Sequence, residues 1–346
     1  MGGGGLDPVA YDAGISSLRS TGTVFARSTA AAASRDFSKI AEILDPRKLK
    51  NGMRESCFAP GFNDVTPIVV SIDGTGSMDK VPFNIQSGLP KLIEILTEKG
   101  ISDHPNVLFM CHDDEHAVRP DAAFQMSQFE IGAPELIAAL NEMIIPGQGG
   151  GNDGEAYHMS FYAAANHTRL ESFERDGSKG FFFMICDEQP YYDNADPAKH
   201  GTLPEVAKEV FGDTIEKEVS MLESVKKVCE RYHVFIIRPA HTSHGTNKMI
   251  TGTWQKLLRD AGENPEHVLE IGKTEEIIPT IAVAIGRLAG TEADELADVL
   301  RSKGVNPNGA INATKALVPV SGGAVAVVGK SSGALTTGAG KGRSRR

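Results

Sequence analysis

No apolar run in this 346-residue chain approaches the length needed to span a bilayer, so no membrane-embedded role is expected. The N-terminus, Met1 to Leu6, has no basic stretch followed by an apolar core, which excludes the pattern of a signal peptide. Gly2 invites a myristoylation reading, but Leu6 stands where Ser or Thr is wanted. Cysteine is scarce. Cys57, Cys111, Cys186 and Cys229 form no CxxC pair, and the reading is reduced thiols in a cytoplasmic protein. Basic residues are outnumbered, 35 against 45 acids, for a formal charge of −10. That disfavours a general nucleic-acid binder and suits a soluble protein with cationic or metal-dependent partners.

What the chain does have is 40% apolar residues, enough for a sizeable core in one large or two modest domains. Its organising stretch is Ile68 to Met78. There a short apolar run ends abruptly in Asp73-Gly74-Thr75-Gly76-Ser77, and an amphipathic segment starts near Val81. This predicts a buried strand, a tight turn filled with oxygen ligands, and a helix. Open α/β sheets place their ligands at such turns.

The same pattern recurs downstream. Asn106 to Cys111 and Val234 to Ile237 read as strands, and His267 to Ile271 as the last one. Gly180 to Cys186 is the most apolar strand and ends in Asp187. Near-continuous apolar strands are buried on both faces, as in a parallel sheet covered by helices. Helices are expected over Val81–Lys99, with Pro90 suggesting a kink or late start, and over 134–145, 155–168, 205–231, 248–261 and 275–288. Ala122 to Ile131 suits a hairpin partner for the second strand. The fold class is α/β, a doubly wound, mostly parallel central sheet flanked by helices. Residues 1–60 read as an N-terminal helical or flexible segment and 61–290 as the main domain. Residues 291–346 read as a short helix and a flexible low-complexity tail from Gly304.

Asp73-Gly74-Thr75-Gly76-Ser77 resembles the D-x-S/T-x-S motif of von Willebrand factor A domains, their metal-ion-dependent adhesion site. Gly149-Gly150-Gly151-Asn152-Asp153 resembles the second loop of that site, commonly Gly-Gly-Gly-Thr-Asp, and Asp187 matches its third-loop acid. The resemblance covers roughly Asn63 to Leu288. It implies a Rossmann-like fold and a site for Mg²⁺ (or Mn²⁺ or Ca²⁺) built from Asp73, Thr75, Ser77, Asp187 and either Asn152 or Asp153. It also implies no catalysis, but capture of a partner's Asp or Glu at an open coordination position. Intracellular members work beside ATP-driven machines such as MoxR-type ATPases, or within ribonucleoprotein particles; the acidic balance makes RNA the less attractive partner. The physical chemistry is consistent with this. Magnesium takes six hard oxygens and usually keeps some water. Hydroxyls add no charge, so two carboxylates just balance the ion. Asn152 stands where threonine is usual.

Other readings stand beside this one. A plain strand-to-helix turn, or a structural domain without metal, accounts for the first motif alone. Ser71-Ile72-Asp73-Gly74-Thr75 is one residue from the D-x-D-G-T turn of haloacid-dehalogenase phosphatases, with Ser71 where the carboxylate nucleophile belongs. Asp-Gly-Thr-Gly echoes actin-like kinases without their long hairpin. Gly149, Gly151 and Gly154 spell G-x-G-x-x-G after a helix, not the required strand. Ala324 to Ser331 misses the P-loop by its first glycine. Cys111 to His116 offers transition-metal ligands, though a polar strand end and turn is the simpler account. His241 and His244 follow a strand and either line the ligand edge or sit solvated in their loop.

Overall fold

In a computed structural model the described residues are 13, 26–37, 39–58, 65–78, 80–98, 101–102, 104–114, 122–131, 133–148, 154–191 and 203–320. The strands are β1 (Arg54–Ser56), β2 (Thr66–Asp73), β3 (Pro105–His112), β4 (Phe124–Met126), β5 (Thr168–Leu170), β6 (Gly180–Ile185), β7 (Tyr232–Pro239) and β8 (Val268–Ile271). The helices are α1 (Ala26–Ser34), α2 (Val81–Glu98), α3 (Ala133–Glu142), α4 (His158–Asn166) and α5 (Glu171–Asp176). They continue as α6 (Leu203–Phe211), α7 (Met221–Arg231), α8 (Lys248–Asp260), α9 (Ile277–Leu288), α10 (Ala293–Ser302) and α11 (Asn308–Ala313).

The main sheet runs β4-β3-β2-β6-β7-β8, parallel except for β4, which closes the β3 edge as a hairpin partner. Side chains alternate across the strands, so each strand feeds two cores. Ile68, Val70 and Ile72 join Phe181, Phe183, Phe235 and Leu269 under α2, α3, α9 and α10. Val69, Leu108, Phe182, Met184 and Ile236 join Trp254 and Phe161 under α4, α6, α7 and α8. The result is a mostly parallel sheet with helices on both faces.

From β2 the chain steps to β3 on one side, then crosses to β6 on the other. The order reverses between β2 and β6, which are paired in register Ile72↔Ile185. Helix α2 leaves β2 on one face, while α6 and α7 follow β6 on the other. The carboxyl ends of β2 and β6 are therefore the topological switch point, where open sheets of this kind bind ligands.

Several expectations are amended. The single helix over 205–231 is two, α6 and α7. Gly212 breaks it with φ of 78°, and α7 restarts on a Ser220–Glu223 capping box. Pro90 does not delay its helix, which starts at Val81. The N-terminal segment is joined to the body. Ser28 Oγ in α1 donates to Met143 O and accepts from the Ile145 N–H, and β1 forms a small parallel sheet with β5, unseen in the sequence. The core also extends past 290. Ala310 and Leu317 are buried in it, and Arg287 Nη2 donates to Leu317 O at 2.8 Å. The flexible tail therefore does not begin at Gly304; residues 321–346 lie outside the described residues. Among the described residues no helix is long and apolar enough to cross a membrane.

Candidate metal centre

β2 ends in Asp73 at the switch point, and the turn after it is tightly packed at two glycines. A Cβ on Gly74 would lie 2.8 Å from Cys111 Sγ and 2.9 Å from His112 O; one on Gly76 would lie 3.0 Å from Gly147 O. The backbone joins the same pieces. The Gly74 N–H donates to His112 O, the Gly147 N–H to Gly74 O, and the Gly76 N–H to Gln148 O. The end of β3 and the start of the glycine-rich loop are thus fixed against the first turn. Asn152 and Asp153, the expected second-loop ligands, lie outside the described residues.

Four oxygens then line up. Thr75 Oγ1 donates to Asp73 Oδ1 at 2.6 Å, Thr75 Oγ1 and Ser77 Oγ are 3.0 Å apart, and Ser77 Oγ donates to Asp187 Oδ1 at 2.9 Å. So Asp73, Thr75 and Ser77 of one turn meet Asp187, 110 residues beyond Ser77, at one place. In an octahedron with metal–oxygen distances of 2.0–2.1 Å, neighbouring ligand oxygens stand about 2.9 Å apart. These spacings are those of O–H···O hydrogen bonds and also suit that edge length. Among the described residues no group of three or more His, Cys, Asp or Glu side chains is arranged to hold a metal. This site instead offers two carboxylates and two hydroxyls.

The surroundings are rich in buried acid. Asp73 and Asp187 are fully buried. Burial, then the nearby Asp187 charge, pushes the Asp73 carboxyl up to about 7, against the pull of hydrogen bonds from Thr75 and Tyr157. Glu155 is pushed up to about 10 by burial and by Asp73, Asp114, Asp113 and Asp187 in turn. Its Oε2 is buried without a hydrogen bond. Burial holds His112 down to about 3 and His158 down to about 4, so neither imidazole supplies positive charge at neutral pH. A buried acid surplus of this kind fits a divalent ion, which balances two carboxylates.

Sequence reasoning missed Tyr157. Its hydroxyl donates to Asp73 Oδ2 at 2.8 Å and accepts from the Glu188 N–H at 3.3 Å. It bridges the first and third loops from the residue before α4, and nothing in its local pattern marks it. Tyr157→Phe leaves that face of a buried carboxylate without a donor. It should cost about 1–3 kcal/mol in urea unfolding at pH 8; an unchanged midpoint would show that the bond adds nothing.

Cys111 and His112 cannot share a metal. Consecutive on β3, they face opposite cores, and Cys111 Sγ points to Ile144 O at 3.8 Å while His112 Nδ1 lies 3.1 Å from Ser160 Oγ. Asp113 accepts from the Gln148 N–H and Asp114 from Tyr191 Oη; Glu115 and His116 are outside the described residues. Of the two loop histidines, His241 pairs with Thr274 Oγ1, whereas His244 reaches the centre. Its backbone N–H donates to Asp187 Oδ2 at 3.2 Å, and its Nδ1 is 3.4 Å from Glu188 Oε2. Ser71 is buried in mid-strand and donates to Ser160 Oγ at 2.8 Å.

No family model matches the chain, and no curated protein matches it. Among solved structures, it is similar to the pilus adhesin SpaC from Lactobacillus rhamnosus GG in one crystal form, with 11% identity over 68% of this chain and 32% of the adhesin (TM-score 0.45). An open conformation of that adhesin gives 11% identity over 72% of this chain and 31% of the adhesin (TM-score 0.43). Proximal thread matrix protein 1 from the mussel byssus gives 10% identity over 65% of this chain and 48% of that protein (TM-score 0.39). This chain spans about a third of the adhesin's length and about half of the thread protein's. So partial a likeness carries no function across.

Proposed function

We propose that this chain is a divalent-cation-dependent protein-binding module of the von Willebrand factor A type, with the Rossmann-like form of the α/β fold. Asp73, Thr75, Ser77 and Asp187, with Asn152 or Asp153 from the second loop, would hold Mg²⁺ or Mn²⁺. The bound ion would supply a Lewis-acidic position for an Asp or Glu of a partner protein. The observation that carries the reading is the run of four oxygens at 2.6–3.0 Å between Asp73 and Asp187. With Asn152 as the second-loop ligand, two carboxylates neutralise the ion and leave it receptive to one more anion; with Asp153 there a third carboxylate would weaken that pull. A MoxR-type ATPase is one candidate partner class, by resemblance alone, in a cytoplasmic setting.

The phosphatase alternative needs a nucleophile at Ser71. That hydroxyl is fully buried and committed to Ser160, which favours binding over turnover. Calorimetric titration with Mn²⁺ tests the proposal. Wild type should bind one ion per chain and Asp73→Ala none, and neither should hydrolyse an aryl phosphate. Identical heat traces for the two proteins refute the cation site. Mn²⁺-dependent turnover abolished by Asp73→Ala would replace a binding module with an enzyme.

A further inference from the structure

Arg238 is fully buried one residue before the end of β7, and every acceptor on its guanidinium is uncharged. Nη2 donates to Asp187 O at 2.9 Å and to His244 O at 2.6 Å. Nη1 donates to Asn247 O at 3.0 Å and to Thr251 Oγ1, while Nε has no partner. One side chain thus joins the loop after β6, the loop after β7 and the first turns of α8. A buried cation with only carbonyl and hydroxyl partners is a costly way to fill space, since an apolar side chain of similar volume is often at least as stabilising. What the guanidinium does uniquely is reach three carbonyls in fixed planar geometry.

The loop it seats acts on the candidate centre from the other side. The His244 N–H donates to Asp187 Oδ2 at 3.2 Å. Asp187 is therefore held at its carbonyl by Arg238 directly, and at its carboxylate by a loop that Arg238 also anchors. Thr251 passes the same network outward, donating to Glu270 Oε1 at 2.7 Å on β8. We propose that Arg238 is a positioning residue for the cation site: it sets the direction of the Asp187 carboxylate and so the affinity for the ion. This rests on the reading of Asp73 and Asp187 as cation ligands.

The test measures Mn²⁺ Kd by calorimetry on the full chain, beside the cation-free melting temperature and near-ultraviolet circular dichroism. Arg238→Met should weaken Mn²⁺ at least tenfold. Arg238→Lys should fall between it and wild type, because one ammonium cannot reach Asp187 O, His244 O and Asn247 O together. Thr251→Val removes one acceptor from Nη1 and the donor to Glu270 but leaves the three carbonyl contacts, and should weaken Mn²⁺ less than Arg238→Lys does; a larger loss overturns the assignment to Arg238. Leu136→Ala, a core truncation under α3 on the opposite face, controls for general destabilisation and should stay within twofold. An Arg238→Met protein with native dichroism and wild-type affinity overturns the proposal. If that variant does not fold, Arg238→Lys decides: unchanged affinity overturns the role, and a loss of threefold or more at a near-wild-type melting temperature supports it. A wild type that binds no Mn²⁺ overturns the cation reading itself and this role with it.

Discussion

Asp73→Asn should stabilise the cation-free protein at pH 8 by about 1–3 kcal/mol and at the same time weaken Mn²⁺ binding about 100-fold or more. The two effects have one cause. Asp73 is buried beside Asp187, and without a cation the two like charges oppose each other. The amide keeps an acceptor for the Thr75 N–H and hydroxyl but removes the charge. Tyr157 Oη can turn to accept from it. With an ion bound, that same charge is one of the proposed carboxylate ligands, and its loss leaves Asp187, the two hydroxyls and the second-loop ligand. Wild type should therefore melt below Asp73→Asn in chelator and above it in excess Mn²⁺. In saturating Mn²⁺ a roughly 100-fold tighter Kd favours wild type by up to about 2.7 kcal/mol and a roughly 1,000-fold one by up to about 4.1 kcal/mol, which reverses the order for any amide gain below that. Melting curves in chelator and over a Mn²⁺ series carried to a plateau in wild-type melting temperature give the answer. Two curves that keep the same order in both conditions contradict it.

The pH dependence should likewise reverse with the ion. The folded-state carboxyl of Asp73 is raised to about 7 from its ordinary 3.8. The folded protein therefore holds a proton that the unfolded chain has released. Stability from this group is complete below about pH 4 and is lost as pH rises through about 7, at up to about 1.4 kcal/mol per pH unit. A cation competes with that proton. Its affinity should rise up to about tenfold per unit until pH 7 and level off above. Asp73→Asn should remove this group's share of both trends, leaving the downward slope that Glu155, raised to about 10, keeps over the same range. Urea unfolding between pH 5 and 8, with and without Mn²⁺, follows the first, and calorimetry in buffers of different ionisation heat detects the released proton. Mn²⁺ affinity constant from pH 5 to 8 would mean that Asp73 does not ionise on binding.

The core strands and the helix layers that cover them were the part of the fold that local pattern foreshadowed best. The runs around Ile68–Ile72 and Gly180–Ile185 are apolar on both faces, which happens only where helices cover a sheet twice. The hairpin partner Phe124–Met126 was visible as a loose alternation. Elements fixed by partners far away were not. Strand Arg54–Ser56 is three residues long and exists by pairing with Thr168–Leu170. The break at Gly212 was hidden because both flanks share one amphipathic pattern. Asp213, just after it, accepts from Tyr162 Oη and sits 2.8 Å from His167 Nε2. At the centre, Asp73, Thr75, Ser77 and Asp187 were legible because a tight turn spaces three of them by two residues. Tyr157 and Arg238 were not, since each acts through a contact between loops that only the assembled sheet creates.

A crystal grown in Mn²⁺ and measured for anomalous scattering addresses the cation directly. The expected result is one peak at the carboxyl end of β2 and β6, within ligand distance of oxygens from Asp73 or its neighbours Thr75 and Ser77 and from Asp187. Full Mn²⁺ saturation with no peak there, and Ser77 still hydrogen-bonded to Asp187 across the gap, contradicts the account.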